Sequence, residues 1–143
     1  MRVLVVNGPN LNLLGRRKPE IYGSATLADL EERCRAWGAG LGIDVAVFQS
    51  NHEGAIVDRL HAAMDDCDGV VINPGALTHT SRVLYDAIEA IEIPTVEVHL
   101  SDIAAREPWR AVSLIAPVCA ASISGRGPDG YLAALEFLAG LSR

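Results

Sequence analysis

Residues 69–100 read GVVINPGALTHTSRVLYDAIEAIEIPTVEVHL. Two short apolar runs, Gly69–Asn73 and Pro94–Leu100, bracket this stretch. Both are rich in valine or isoleucine and lack a long alternation with charge, as expected of strands covered on both faces. Between them Val83, Leu84, Ala87, Ile88 and Ile91 recur at helical spacing, and Pro94 stops the helix. A strand, a helix and a second strand in this order form a parallel crossover unit.

The same alternation runs through the rest of the chain. Arg2–Val6, Ile43–Gln49 and Val118–Ile123 read as three further strands. Leu27, Leu30, Cys34, Trp37 and Leu41 form one helical stripe, with Thr26 as N-cap and Asp29 completing a partial capping box. Ile56, Val57, Leu60, Met64 and Cys67 form another, and a last helix runs from about Pro128 to Leu141 with Leu132, Leu135 and Leu138 inward. Residues 102–116 read as a short helix and a loop. Five strands alternating with helices predict an α/β fold: a flavodoxin-like, open five-stranded parallel sheet with helices on both faces. Nothing marks a linker or a repeat, so residues 1–143 are expected to form one domain.

Composition narrows the function. The 143 residues (15.2 kDa) carry a net charge of −6 and a pI near 5.1, which argues against a nucleic-acid surface. No apolar run approaches the roughly 18 residues of a membrane span. The apolar start at Met1–Val6 is followed at once by polar Asn7-Gly8-Pro9-Asn10, too early for a signal peptide. Three cysteines, Cys34, Cys67 and Cys119, without CxxC spacing fit a reducing cytoplasm and no zinc site. Half the residues are hydrophobic and mean hydropathy is +0.22, which points to surface buried against copies of the same chain.

Open parallel sheets bind ligands beyond the carboxyl ends of their strands. There the sequence places Asn7 to Gly23, a long glycine-bounded loop with Arg16, Arg17, Lys18 and Tyr22, read as a lid. It also places Asn73 to Ser81, rich in hydroxyls, and His99-Leu100-Ser101-Asp102, with Glu97 two residues before the histidine. Strand-end glycine and asparagine are often only turn chemistry, and His61 reads as a solvated helix residue. Tyr22, His79 and His99 converge on one rim with arginines, and that convergence of acid–base types is the functional signal.

These motifs resemble the type II 3-dehydroquinate dehydratases. Matching runs are Asn7-Gly8-Pro9-Asn10-Leu11, the segment from Gly15 to Gly23, Ser50-Asn51-His52-Glu53-Gly54, Asn73-Pro74-Gly75-Ala76 with Thr78-His79-Thr80-Ser81, Glu97-Val98-His99-Leu100-Ser101, and Gly127-Pro128-Asp129-Gly130-Tyr131. They span nearly the whole chain in order. Leu77 stands where many members carry an aromatic and Tyr85 where arginine is common, both expected at the pocket rim.

The resemblance implies removal of a proton alpha to a ketone and loss of a beta hydroxyl through an enolate. It implies Tyr22 as base, with Arg17 favouring the phenolate of a group whose free pKa is about 10. It implies His99 as general acid and Asn10 as holder of a water against the enolate oxygen. Glu97 is expected to orient His99, an inference from closeness in sequence. Substrate contacts carry over as Asn73, His79, Asp86, Leu100, Ser101 and Arg110, suited to hydroxyls and a carboxylate. The resemblance further implies a small anionic substrate, no cofactor, no metal, and a cytoplasmic homododecamer, a tetramer of trimers.

Four other readings compete. A receiver domain needs an acidic metal pocket where Asn7 and Asn73 stand. A flavin protein wants a hydroxyl-rich phosphate loop after the first strand. A metal-dependent hydrolase on His79, His99 and Asp102 matches no standard ligand spacing. A non-catalytic descendant is disfavoured because Arg17, Tyr22 and His99 are all present.

Overall fold

The valine- and isoleucine-rich runs form five parallel strands: β1 Arg2–Asn7, β2 Asp44–Gln49, β3 Gly69–Asn73, β4 Thr95–His99 and β5 Ala121–Ser124, in the order β2-β1-β3-β4-β5. The computed structural model describes residues 1–16, 18–22 and 24–142, the side chains of Ile21 and Tyr22 excepted. Among the described residues five α-helices complete the fold: α1 Pro19–Tyr22, α2 Leu27–Gly40, α3 Glu53–Asp66, α4 Arg82–Ile91 and α5 Asp129–Leu141.

Strand side chains alternate between the two faces. Val3, Val5, Val71, Val96 and Val98 join α2 and α5 in one core. Leu4, Val6, Val70 and Ile72 join α3 and α4 in the other. Both faces are therefore apolar, which is why the strands read as continuous hydrophobic runs. Thr26 and Asp29 close a full capping box on α2, each side chain bonding the other residue's N–H at 3.2 and 3.0 Å. Among the described residues no helix is long and apolar enough to cross a membrane.

Four sequence expectations shift. The fifth strand starts three residues later than read, at Ala121, because Ala116–Val118 forms a 3-10 turn. Val83 and Met64 lie on the exposed sides of α4 and α3 rather than in the core, at 55% and 53% exposure. Leu132 is half-buried, while Tyr131 and Ala134 take the inward face of α5 with Leu135 and Leu138. The ambiguous stretch after β4 holds 3-10 turns at Ile103–Ala105 and Pro108–Ala111.

Polar residues align where β1 and β3 end. Asn7 pairs in register with Asn73 on one side and Gln49 on the other. The fully buried Tyr131 reaches up from α5 to tie the two asparagines together: its hydroxyl donates to Asn7 Oδ1 at 2.6 Å and accepts from Asn73 Nδ2 at 2.9 Å. Asn73 Oδ1 in turn accepts from the Gly75 N–H at 3.1 Å, which starts the next turn. Beside this link, a Cβ on Gly8 would stand 2.7 Å from the Pro74 carbonyl oxygen, so glycine alone lets the loops after β1 and β3 meet.

Removing the hydroxyl leaves two buried amide groups short of a partner. Tyr131→Phe is therefore expected to lower the unfolding free energy by about 1–3 kcal/mol. Urea unfolding of the purified protein measures it, and an unchanged midpoint would remove the link from the account of stability.

Candidate active site

The strand order reverses between β1 and β3, and a cleft opens beyond their carboxyl ends. It encloses roughly 610 Å³, open mouth included. Three loops line it. The loop after β1 supplies Pro9, Asn10, Leu11 and Leu14; that after β3 supplies Gly75, Ala76 and His79, with Asn73 at the end of the strand itself; that after β4 supplies Leu100, Ser101, Ile103, Arg106 and Arg110, with His99 ending that strand.

Asn10 adopts a left-handed conformation (φ 71°), which asparagine tolerates better than other non-glycine residues. Its N–H donates to Asn51 Oδ1 at 3.0 Å, and the Gln49 amide donates to the same oxygen at 3.1 Å. The motif around Ser50 thus braces the Asn10 turn from β2. His52 begins α3 without a side-chain cap bond; the neighbouring Glu53 accepts instead from the Ser81 hydroxyl at 2.6 Å, which itself caps α4 through the Leu84 N–H.

Glu97 lies directly beneath His99. It is 1% exposed, and its Oε2 sits 2.6 Å from His99 Nε2. Ser113 Oγ lies 2.8 Å from both carboxylate oxygens, Ser122 Oγ donates to Oε1 at 2.9 Å, and Thr78 Oγ1 donates to Oε2. Burial pushes the Glu97 carboxyl up, but bonds from His99, Thr78 and Ser113 together with the histidine's charge outweigh it and hold the group below its usual range. Glu97 thus sits beneath the cleft-lining His99.

The cationic side of the cleft is built from the turns after β4. Arg110 stacks over Trp109, 4.1 Å from the ring centroid, and its Nε donates to Glu107 at 2.6 Å. His79 makes an edge contact with Trp109 and pairs its Nδ1 with the Val112 carbonyl at 2.7 Å. The segment carrying the arginines is thereby fastened to the loop after β3.

The cleft brings together Asn10, Asn73, His79, His99, Leu100, Ser101 and Arg110, with Glu97 underneath. Asp86 is not among its lining residues. It is exposed on α4, five residues past the Ser81 cap and so about 7.5 Å down the helix axis. Arg17 and the Tyr22 side chain lie outside the described residues; the backbone of Tyr22 ends the single turn α1, so the segment read as a loop is partly helical. Leu77 and Tyr85 pack against the α3–α4 core rather than lining the cleft. The motifs include Thr78 only as part of a hydroxyl-rich run and do not include Arg106, Ser113 or Ser122. The one signal that could have found the hydroxyls is Glu97, a charge in an otherwise apolar strand that requires partners. Among the described residues no three His, Cys, Asp or Glu side chains cluster to hold a metal ion.

The chain matches the family model for class II dehydroquinases over residues 1–139. It is 57% identical over 138 residues to a 3-dehydroquinate dehydratase of Jannaschia sp., covering 96% of this chain and 93% of that one. It is 54% identical over 137 residues to catabolic 3-dehydroquinase 1 of Neosartorya fischeri, covering 96% and 91%. Its fold superposes on the crystal structure of the type II dehydroquinase from Propionibacterium acnes with a TM-score of 0.94 at 44% identity, over 97% of this chain and 96% of that one. By sequence and by fold, the chain belongs to the class II dehydroquinase family.

Proposed function

We propose that this chain catalyses the reversible dehydration of 3-dehydroquinate to 3-dehydroshikimate, a step of the shikimate pathway, as a single cofactor-independent catalytic domain over residues 1–143. The observation that carries the reading is the cleft itself: a histidine backed by a buried carboxylate, facing asparagines and arginines at the switch point of the sheet.

Dehydration requires a base for the proton alpha to the ketone, a place for enolate charge and an acid for the departing oxygen. Tyr22 takes the proton as phenolate, and Arg17 stabilises that anion. Elimination among the three tyrosines supports the choice. Tyr131 is fully buried and its phenol is pushed far above its ordinary value by burial, so it stays neutral. Tyr85 packs into the core and does not line the cleft. The enolate oxygen is met by a water held on Asn10. His99 then protonates the beta hydroxyl, the C–O bond breaks, and water leaves. An ionised carboxylate accepts but cannot donate, so Nε2 keeps its proton on the Glu97 bond; His99 therefore acts as the imidazolium, whose second proton, on Nδ1, goes to the leaving oxygen. Asn73, His79, Leu100, Ser101 and Arg110 hold the anionic substrate.

We read the protein as cytoplasmic and assembled as a homododecamer of four trimers. Exposed Val83, Trp109 and Val112 agree with surface that other copies cover. A sedimenting species of 15.2 kDa would overturn the assembly.

The direct test is ultraviolet detection of the enone formed from 3-dehydroquinate; its absence would overturn the function. Tyr22→Phe and His99→Ala are each expected to lose about 10²–10⁴-fold in turnover. His61→Ala, exposed on α3, stays within about twofold. Equal losses at His61 and His99 would remove the acid assignment.

A Schiff-base route would need a lysine, and the chain has one, Lys18, exposed beside Pro19. Its neighbours Arg16 and Arg17 could activate it, but its setting is not the dry pocket that such a lysine needs. Lys18→Ala is expected to keep at least about a tenth of wild-type activity, a loss below about 1.4 kcal/mol. Borohydride during turnover should neither inactivate the enzyme nor add substrate mass, and an adduct on Lys18 by mass spectrometry would overturn the enolate route.

A further inference from the structure

We propose that the hydroxyls of Thr78, Ser113 and Ser122 form a positioning clamp that fixes the Glu97 carboxylate in one orientation against His99. The proposal rests on the reading of His99 as general acid and Glu97 as its partner.

The three hydroxyls come from three separate pieces of chain. Thr78 stands on the 3-10 turn Gly75–His79 after β3. Ser113 follows the turn Pro108–Ala111 that carries Arg110. Ser122 is the in-register partner of Glu97 on β5. They converge on a carboxylate that is almost wholly removed from water. Such a group is tolerated only when its lone pairs are satisfied. Ser122 engages Oε1, Thr78 engages Oε2 beside His99 Nε2, and Ser113 spans both oxygens. Rotation about the terminal bond of Glu97 would break several of these bonds at once.

The donor count also sets protonation. Each hydroxyl has one proton, and an ionised carboxylate can only accept. With all three hydroxyls donating, the His99 bond must be Nε2–H to Oε2. A protonated Glu97 would have to donate its own proton and would force one hydroxyl or the imidazole to reverse. Around Glu97, among the described residues, the titratable neighbours are His99 and the Cys119 thiol. Burial, and after it the Glu97 charge, pushes that thiol up to about 12, so it stays neutral and adds no charge.

Two of the three hydroxyls have further partners. Ser113 accepts from the Ala116 N–H at 3.1 Å, and Thr78 Oγ1 lies 2.8 Å from Ser113 Oγ, a contact without a proton of its own while both hydroxyls donate to Glu97. Ser122 contacts Glu97 through its hydroxyl from the sheet edge, which makes it the cleanest probe.

The test measures kcat, KM and the pH dependence of kcat for Ser122→Ala, Ser113→Ala, Ser122→Thr, Glu97→Gln and the double variant Glu97→Gln/Ser122→Ala in the intact assembly. Ser122→Ala is expected to lower kcat about three- to tenfold and Ser113→Ala about tenfold or more, with KM within about twofold. Loss of a donor raises the Glu97 pKa, so the acidic limb of the kcat profile moves to higher pH. Ser122→Thr restores both, and Ser122→Ala adds nothing in the Glu97→Gln background. Should Ser113→Ala not fold, Ser122→Ala decides alone. Wild-type kcat and an unshifted acidic limb in Ser122→Ala, with Glu97→Gln slow, would overturn the clamp and leave the acid pair standing. Wild-type kcat in Glu97→Gln would overturn the pair and the clamp with it.

Discussion

A charge buried at the end of β4 makes demands on everything around it. Glu97 has lost its water, and a carboxylate in that position is stable only while several donors reach it together. Those donors stand on the turn after β3, on the segment after Arg110 and on β5. None of the three pieces can shift without costing the carboxylate a donor. This explains the irregular path from β4 to β5. Within eight residues that path places Arg106 and Arg110 at the cleft and Ser113 under it, facings that the fixed 3.6-residue turn of one helix does not offer at once.

The opposite wall of the cleft follows the same logic with neutral groups. Asn7 and Asn73 end adjacent strands, and Tyr131 fills the space between them from α5. Gly8 allows the backbone beyond to touch Pro74, and the left-handed Asn10 is braced by Asn51. The floor is thus held by polar bonds that join α5 and the flanking loops to the sheet. Asn73 belongs to this frame and also lines the cleft, so its carboxamide is oriented before any ligand arrives.

What could be read from the sequence divides along physical lines. Strands covered on both faces announce themselves as unbroken apolar runs, and β1 to β4 fall within a residue or so of their expected limits. The edge strand β5 has half-exposed residues and only four positions, so the neighbouring Val118 and Cys119 drew the reading upstream. Strand-end histidines and asparagines were legible because the fold states where ligands bind. The hydroxyls were not, since Ser113 and Ser122 look like any loop and edge serines until Glu97 is seen beside them. Asp86 was carried over from a resemblance, and the geometry of α4 places it away from the cleft of its own chain.

The Glu97–His99 pair shows how strongly a motif depends on the element that bears it. On a strand, residues two apart point to the same face and their Cα atoms lie about 6.6 Å apart, a gap that a glutamate and an imidazole can close. On a helix the same spacing sends the side chains to different sides and no pair forms. Glu-x-His acquires chemical meaning only once Thr95–His99 is a strand, and the strand has to end at His99 for the imidazole to meet the cleft. Val98 between them faces the other core, where it packs against α5. One alternation therefore buries Val98 below the sheet and sets the acid and its partner above it, so the packing of β4 and the placement of its chemistry are the same fact.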